Sequence, residues 1–304
     1  MVIDEAKLVA HWHTLGVDDP NALQQAREQC HHAVQLLGIA GRCMLPADPS
    51  DASANLGWLD SKGLLASRPF GGEVQYSAAL SLSELTLYLI DQEYEVVQSF
   101  ALAGQSFAAA YNWLKSAIDT LGLDTGRFSK ELPYALPDFG RDEQTPFALQ
   151  EVEVMQELDD YFYNAAGLLD VVTGAIAVAG DARCWPHHFD LATLITLEAN
   201  DNPEKAVTIG FGMSPGDEKF NEPYFYCTPW PYPDPEKVEL PELAGGGQWH
   251  TDGWVGAVLT ASSLRQASEA AQQARHTIEF GRSAVDALLL LLTPEETAEE
   301  QPAD

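Results

Sequence analysis

The sequence predicts an α+β fold: two similar halves of antiparallel strands flanked by helices, packed as one compact unit. Three observations carry that expectation. Apolar residues recur at helical spacing near residues 20–41, 106–121, 147–177 and 262–292. Between those stretches, residues 56–103 and 182–261 change to a period of two, with turn residues at the breaks. The order helices, strands, helix therefore occurs twice, which is how layered α+β chains are built.

Residues 1–50 read as N-terminal helices. Residues 3–16 have mixed helical character, and Asp19-Pro20 has the form of a helix start, because proline suits the first turn where its missing N–H costs nothing. Leu23, Ala26, Cys30, Ala33, Val34 and Leu37 keep helical spacing, with Gly38 or Gly41 as the expected terminator. His11, His13, His31 and His32 lie in these helices and read as helix surface or satisfied core.

Residues 51–146 are a first β region with its helix and connector. Residues 64–68 and 74–80 are strands, and Leu85, Leu87 and Leu89 alternate with Thr86, Tyr88 and Ile90. Asp91-Gln92-Glu93 turns the chain into a hairpin with residues 94–102. Ser106 opens an amphipathic helix marked by Phe107, Tyr111, Leu114, Ile118 and Leu121. Pro133, Pro137 and Pro146 make the next stretch an irregular connector.

Residues 147–293 hold a long helix, the second β region and a closing helix begun by Ser262 or Ser263. The apolar end of that helix, residues 288–292, is expected to be buried. Residues 294–304, acidic and proline-bearing, read as a disordered tail.

Charge excludes some partners. Sixteen Lys and Arg stand against 46 Asp and Glu in 304 residues, a net charge of −30. Such a surface repels nucleic-acid backbones and anionic membranes. No run approaches the ~18 apolar residues of a membrane helix. The acidic N-terminus lacks the form of a secretion signal, and Cys30, Cys43, Cys184 and Cys227 show no C-x-x-C pairing, so a cytoplasmic chain with reduced thiols is expected.

The stretch from Cys184 to Leu197 organises the functional reading. Read as one strand, it puts His188 and Asp190 on one face and Trp185, His187 and Phe189 on the other. In Val207–Ser214 the apolar Val207, Ile209, Phe211 and Met213 share a face. Thr208, Gly210, Gly212 and Ser214 share the other, leaving volume above the sheet. Tyr224, Tyr226 and Thr228 align in a third strand, and His250, Asp252 and Trp254 in a fourth. A face with these residues is a polar, aromatic-walled small-molecule pocket rather than a dry core.

His188, Asp190 and His250 are thus the candidate catalytic residues. As a 2-His-1-carboxylate set they are also candidate ligands for a divalent metal, iron or zinc. The H-x-D spacing with a distant His is similar to that of iron- and 2-oxoglutarate-dependent oxygenases. The Arg that follows the distal His in that family has only Arg265, fifteen residues on, as a counterpart here. Without a metal, Asp190 would orient His188, or Asp252 His250, as a general base. A structural reading stays open beside these: His188 and Asp190 as a buried pair pinning strands.

Ser214, Glu222, Tyr224, Tyr226, Asp252 and Trp254 complete the expected ligand-binding set. Ser214-Pro215-Gly216-Asp217 has the residues of a type II turn, whose N–H groups and Ser214 could also hold an anion. The proline-rich residues 229–235 predict an extended loop, and Gly245-Gly246-Gly247 a flexible entry to the His250 strand. No G-x-S-x-G, Walker, H-E-x-x-H or dinucleotide signature occurs.

The chain resembles a family of bacterial proteins of unknown function. The resemblance lies in Trp185-Pro186-His187-His188-Phe189-Asp190-Leu191-Ala192, Gly212-Met213-Ser214-Pro215-Gly216-Asp217, Glu222-Pro223-Tyr224-Phe225-Tyr226 and Trp249-His250-Thr251, with looser likeness over 56–293 that includes Asn55-Leu56-Gly57-Trp58. It looks also like a broader group in which Asp190 has a counterpart and the paired histidines need not. That resemblance implies a shared fold and pocket and no particular activity. An enzyme acting on a small polar molecule and a non-catalytic binding or scaffold protein are the two functional expectations.

Overall fold

The computed structural model describes residues 4–16, 20–48 and 50–293. The acidic tail expected at 294–304 and the helix start expected at Asp19 lie outside the described residues. An N-terminal helix α1 (Glu5–His11), capped by the Asp4 carboxylate on the Ala6 N–H, precedes the long α2 (Pro20–Met44). Gly38 and Gly41 do not end α2. A Cβ on Gly41 would sit 2.1 Å from the Ser53 carbonyl oxygen, so glycine at that position lets the short 3₁₀ turn Ala52–Ala54 press against the helix.

The strands follow in two series. The first is β1 (Leu56–Leu59), β2 (Leu64–Ser67), β3 (Phe70–Gly71), β4 (Gln75–Ser81), β5 (Thr86–Asp91) and β6 (Val96–Ala101). Helix α3 (Phe107–Thr120) comes next, its Ser106 hydroxyl accepting from the Ala109 N–H as the sequence predicts. After the connector, α4 (Val152–Thr173) leads to the second series. That comprises β7 (Arg183–Trp185), β8 (Asp190–Glu198), β9 (Val207–Ser214), β10 (Tyr224–Trp230), β11 (Gln248–His250) and β12 (Gly256–Thr260). A short α5 (Ala261–Leu264), N-capped by Thr260, and α6 (Ala270–Leu292) close the chain.

Among the described residues, all twelve strands join one antiparallel sheet in the order β11-β12-β10-β9-β8-β7-β1-β2-β4-β5-β6, with β3 beside β4. The two meanders meet where β1 pairs with β7, Leu56 opposite Cys184. This is the α+β architecture of two similar halves. α4 and α6 pack on β8, β9 and β10, α3 packs on β5 and β6, and α2 bridges β2, β3 and β4 to α4. One apolar core runs through both halves, from Leu8 to Leu288, and includes Phe162, Phe189, Phe211 and Phe225. Among the described residues no helix is long and apolar enough to cross a membrane.

Three local expectations need correction. The stretch 184–197 is a hairpin rather than one strand: Trp185 pairs with Asp190, and Pro186, His187, His188 and Phe189 form the loop between β7 and β8. Pro229 does not end its strand, because β10 continues to Trp230 with Pro229 opposite Ile209. The closing helix ends with Leu288 buried but Leu290 78% exposed, so its last turn is only partly covered.

Candidate functional site

Phe189 sets the local geometry. It is fully buried yet adopts φ 57°, a left-handed conformation that costs a bulky side chain energy. Its ring packs on Phe162 (5.0 Å) and stacks on His31 (5.4 Å). Pinned in this way, it turns His188 out to solvent and sends Asp190 back into the sheet. α2 holds the other side of the loop. The Pro186 carbonyl is 3.0 Å from His31 Nε2 and accepts from Gln35 Nε2 at 2.6 Å. Gln35 Oε1 in turn accepts from the Tyr134 hydroxyl, which accepts from Arg42.

Asp190 does not pair with His188. Its Oδ2 accepts from the Tyr226 hydroxyl at 2.5 Å, while Oδ1 is sealed from solvent with no hydrogen-bond partner. Burial pushes the Asp190 carboxyl up, against the opposing pull of Tyr226 and His188, and burial pushes the Tyr226 hydroxyl well up too. The bond passes diagonally over β9, where Ala192, Gly212 and Tyr226 lie in register on three adjacent strands. Gly212 makes this crossing feasible. A Cβ there would come 2.6 Å from Ala192 Cβ and 2.9 Å from the Tyr226 oxygen. The volume that Gly212 vacates is thus occupied by Tyr226, which corrects the expectation of an open floor.

The open space lies instead at the ends of β8 and β9. A cleft of about 360 Å³ runs between α2, the His187-His188 loop and the 214–217 turn. Gln24, Arg27, Glu28 and His31 line it from α2, and Asp138 and Phe139 from the connector. Burial lowers His31 and His187 to about 4, so both face the cleft as neutral imidazoles. Arg27 is 8% exposed, and its guanidinium reaches the Pro215 carbonyl at 3.4 Å and Asn221 Oδ1 at 3.3 Å. Burial lowers its pKa. The 214–217 turn is closed by its own polar groups. Ser214 Oγ accepts from the Gly216 N–H, and Asp217 takes the Tyr224 hydroxyl at 2.6 Å.

His250, Asp252 and Trp254 lie elsewhere. β11 stands four strands from β8, roughly 19 Å at ~4.8 Å per step. His250 Nε2 meets the backbone carbonyl of Asp252 at 2.8 Å, and its ring packs on Trp254 (4.6 Å) and Phe220 (5.3 Å). The Asp252 carboxylate is exposed and binds Lys219 Nζ at 2.6 Å, so it does not orient His250. Glu222 Oε2 accepts from the N–H and hydroxyl of Ser262 beside α5. The metal expectation is corrected on the same grounds. His188, Asp190 and His250 do not converge, and among the described residues no group of three His, Cys, Asp or Glu side chains could hold a metal ion. The oxygenase-like reading loses its ligand set with them.

Sequence reasoning therefore found one wall of the cleft and missed the other. His188 and the 214–217 turn were legible, whereas Arg27, Glu28 and His31 carried no signal beyond helical spacing. Family models, curated proteins and solved structures were compared with the chain, and none matches it.

Proposed function

We propose that the protein binds a small polar molecule in the cleft between α2, the His187-His188 loop and the 214–217 turn. The left-handed Phe189 carries this reading. A buried aromatic residue is held in a costly conformation, and what the strain achieves is the display of two histidines in a polar hollow. The volume suits a metabolite-sized ligand. A cytoplasmic setting is supported by four cysteines that are all free and buried thiols.

The test is a thermal-shift survey of polar metabolites on the intact chain and on His188→Trp, which fills the cleft mouth from an exposed position. A ligand present at a hundred times its Kd adds about 2.7 kcal/mol, and each kcal/mol shifts Tm by roughly 2–4 °C. A shift in the native chain that disappears in His188→Trp is expected. No shift with any compound, or one indifferent to the filled mouth, would remove the proposal.

A second reading has its own observation. The Asp190–Tyr226 bond ties β8 to β10 across β9, a cross-brace that a non-catalytic scaffold would need without any ligand. Under that reading Tyr226→Phe lowers stability and the metabolite survey is silent.

A further inference from the structure

Building on the cleft reading, we infer that its ligand is a small zwitterion of the α-amino-acid class, the carboxylate held by Arg27 and the ammonium facing Glu28, Asp138 and Glu218. Arg27 anchors the ligand. Its guanidinium has five N–H donors, and the structure gives it two long contacts to uncharged oxygens. Among the described residues no carboxylate oxygen lies within the 4 Å of an ion pair. Arg27 is the one buried arginine among the described residues, at 8% exposed, and Glu28 and Asp217 attract it only from beyond ion-pair distance. A buried charge whose counter-charges stand off without direct contact is costly, and a bidentate carboxylate in the adjoining cleft would offset that cost.

The turn opposite is shaped around this guanidinium. A Cβ on Gly216 would stand 2.2 Å from Arg27 Nη1, so any other residue would displace it. Arg27 is also the one arginine or lysine among the described residues lining the cleft, and His31 and His187 are held neutral.

The rest of the rim selects against a plain anion. Glu28, Asp138 and Glu218 line the same space. Glu28 Oε1 accepts from Gln24 Nε2 and Asp138 Oδ1 from the Gly140 N–H, and among the described residues no bond is made by the second oxygen of either. Asp217 lines it too, but its oxygens are taken by Tyr224 and by the N–H groups of Lys219 and Phe220. A phosphate or dicarboxylate entering here meets like charges, whereas an ammonium on the same molecule turns them into partners.

The experiment is a thermal-shift and calorimetric titration of the full chain with the common free amino acids. Each is paired with its N-acetyl and carboxamide forms, and acetate, phosphate and methylamine serve as single-charge probes. At least one free amino acid should raise Tm by several degrees, and both blocked forms should lose the effect. Arg27→Met, with folding checked by circular dichroism, should abolish it. Glu218→Gln, an exposed change that leaves the core untouched, should weaken the free amino acid severalfold and leave acetate unaffected. If Arg27→Met fails to fold, Glu218→Gln and the blocked ligands decide the matter.

Acetate, phosphate or methylamine matching the best amino acid would overturn the inference, as would no response to any amino acid. Another metabolite that is excluded by His188→Trp but indifferent to Arg27→Met would overturn it too, and leave the cleft reading standing. Silence from both surveys would remove both.

Discussion

Single residues decide how this protein responds to pH, some in the cleft and some far from it. Asp159 on α4 is 9% exposed with Oδ1 unpartnered, and its carboxyl is pushed up to about 7, by burial first and by Asp160 second. The folded chain therefore keeps a proton that the unfolded chain releases near pH 4. The stability this proton confers is complete below about pH 4 and is lost as pH rises through about 7. Buried His31 and His32 act with the opposite sign. Burial lowers both to about 4, so their contribution is present above ~6.5 and is lost as pH falls toward 4. Stability should therefore peak in weak acid. Asp159→Asn should gain on the order of 2–4 kcal/mol at pH 8 and only about 1 kcal/mol at pH 5, read by chemical denaturation at the two values. An equal effect at both would show that Asp159 does not ionise in this window.

At the scale of elements, glycines and hairpins separate what was legible from what was not. The alternation in Val207–Ser214 correctly places Ile209, Phe211 and Met213 in the core, because side-chain parity is a local property of an extended strand. Ser106 is legible as a helix cap for the same reason. The loop 186–189 was not legible as a turn. Nothing local marks Phe189 as left-handed, since the constraint comes from Phe162 and His31, far away in sequence. Gly38 and Gly41 mislead in a related way: read locally they stop a helix, yet α2 runs through both. They also differ from each other. A methyl on Gly41 meets the Ser53 backbone oxygen at 2.1 Å, while one on Gly38 meets the Pro186 ring at 3.2 Å. Gly41→Ala should cost about 1–3 kcal/mol by forcing the 52–54 turn off the helix. Gly38→Ala should cost less, because the better helix propensity of Ala offsets part of the crowding. Denaturant midpoints of the two variants check the order.

For the molecule as a whole, the contiguous core and the shared sheet make the two meanders one cooperative unit. α4 touches β1 of the first series as well as β8 and β9 of the second, and α2 packs against α4. Calorimetry should show a single transition whose van't Hoff and calorimetric enthalpies agree. Two resolved transitions would mean that the β1–β7 seam divides the protein. The missing half of the cleft was hidden from sequence reading at this same scale. No local pattern relates α2 to a turn of the second meander, 188 residues from Arg27.

The cleft is closed by groups far apart along the chain: His31 meets Pro186 across 155 positions and Arg27 meets Pro215 across 188. The second meander cannot make that hollow without α2 and the connector, and no partly folded intermediate in which α2 is undocked offers a docking place. Any occupant would recognise the finished product alone, and so act as an inspector of assembly, drawing the chain toward completion in proportion to how much occupant is present.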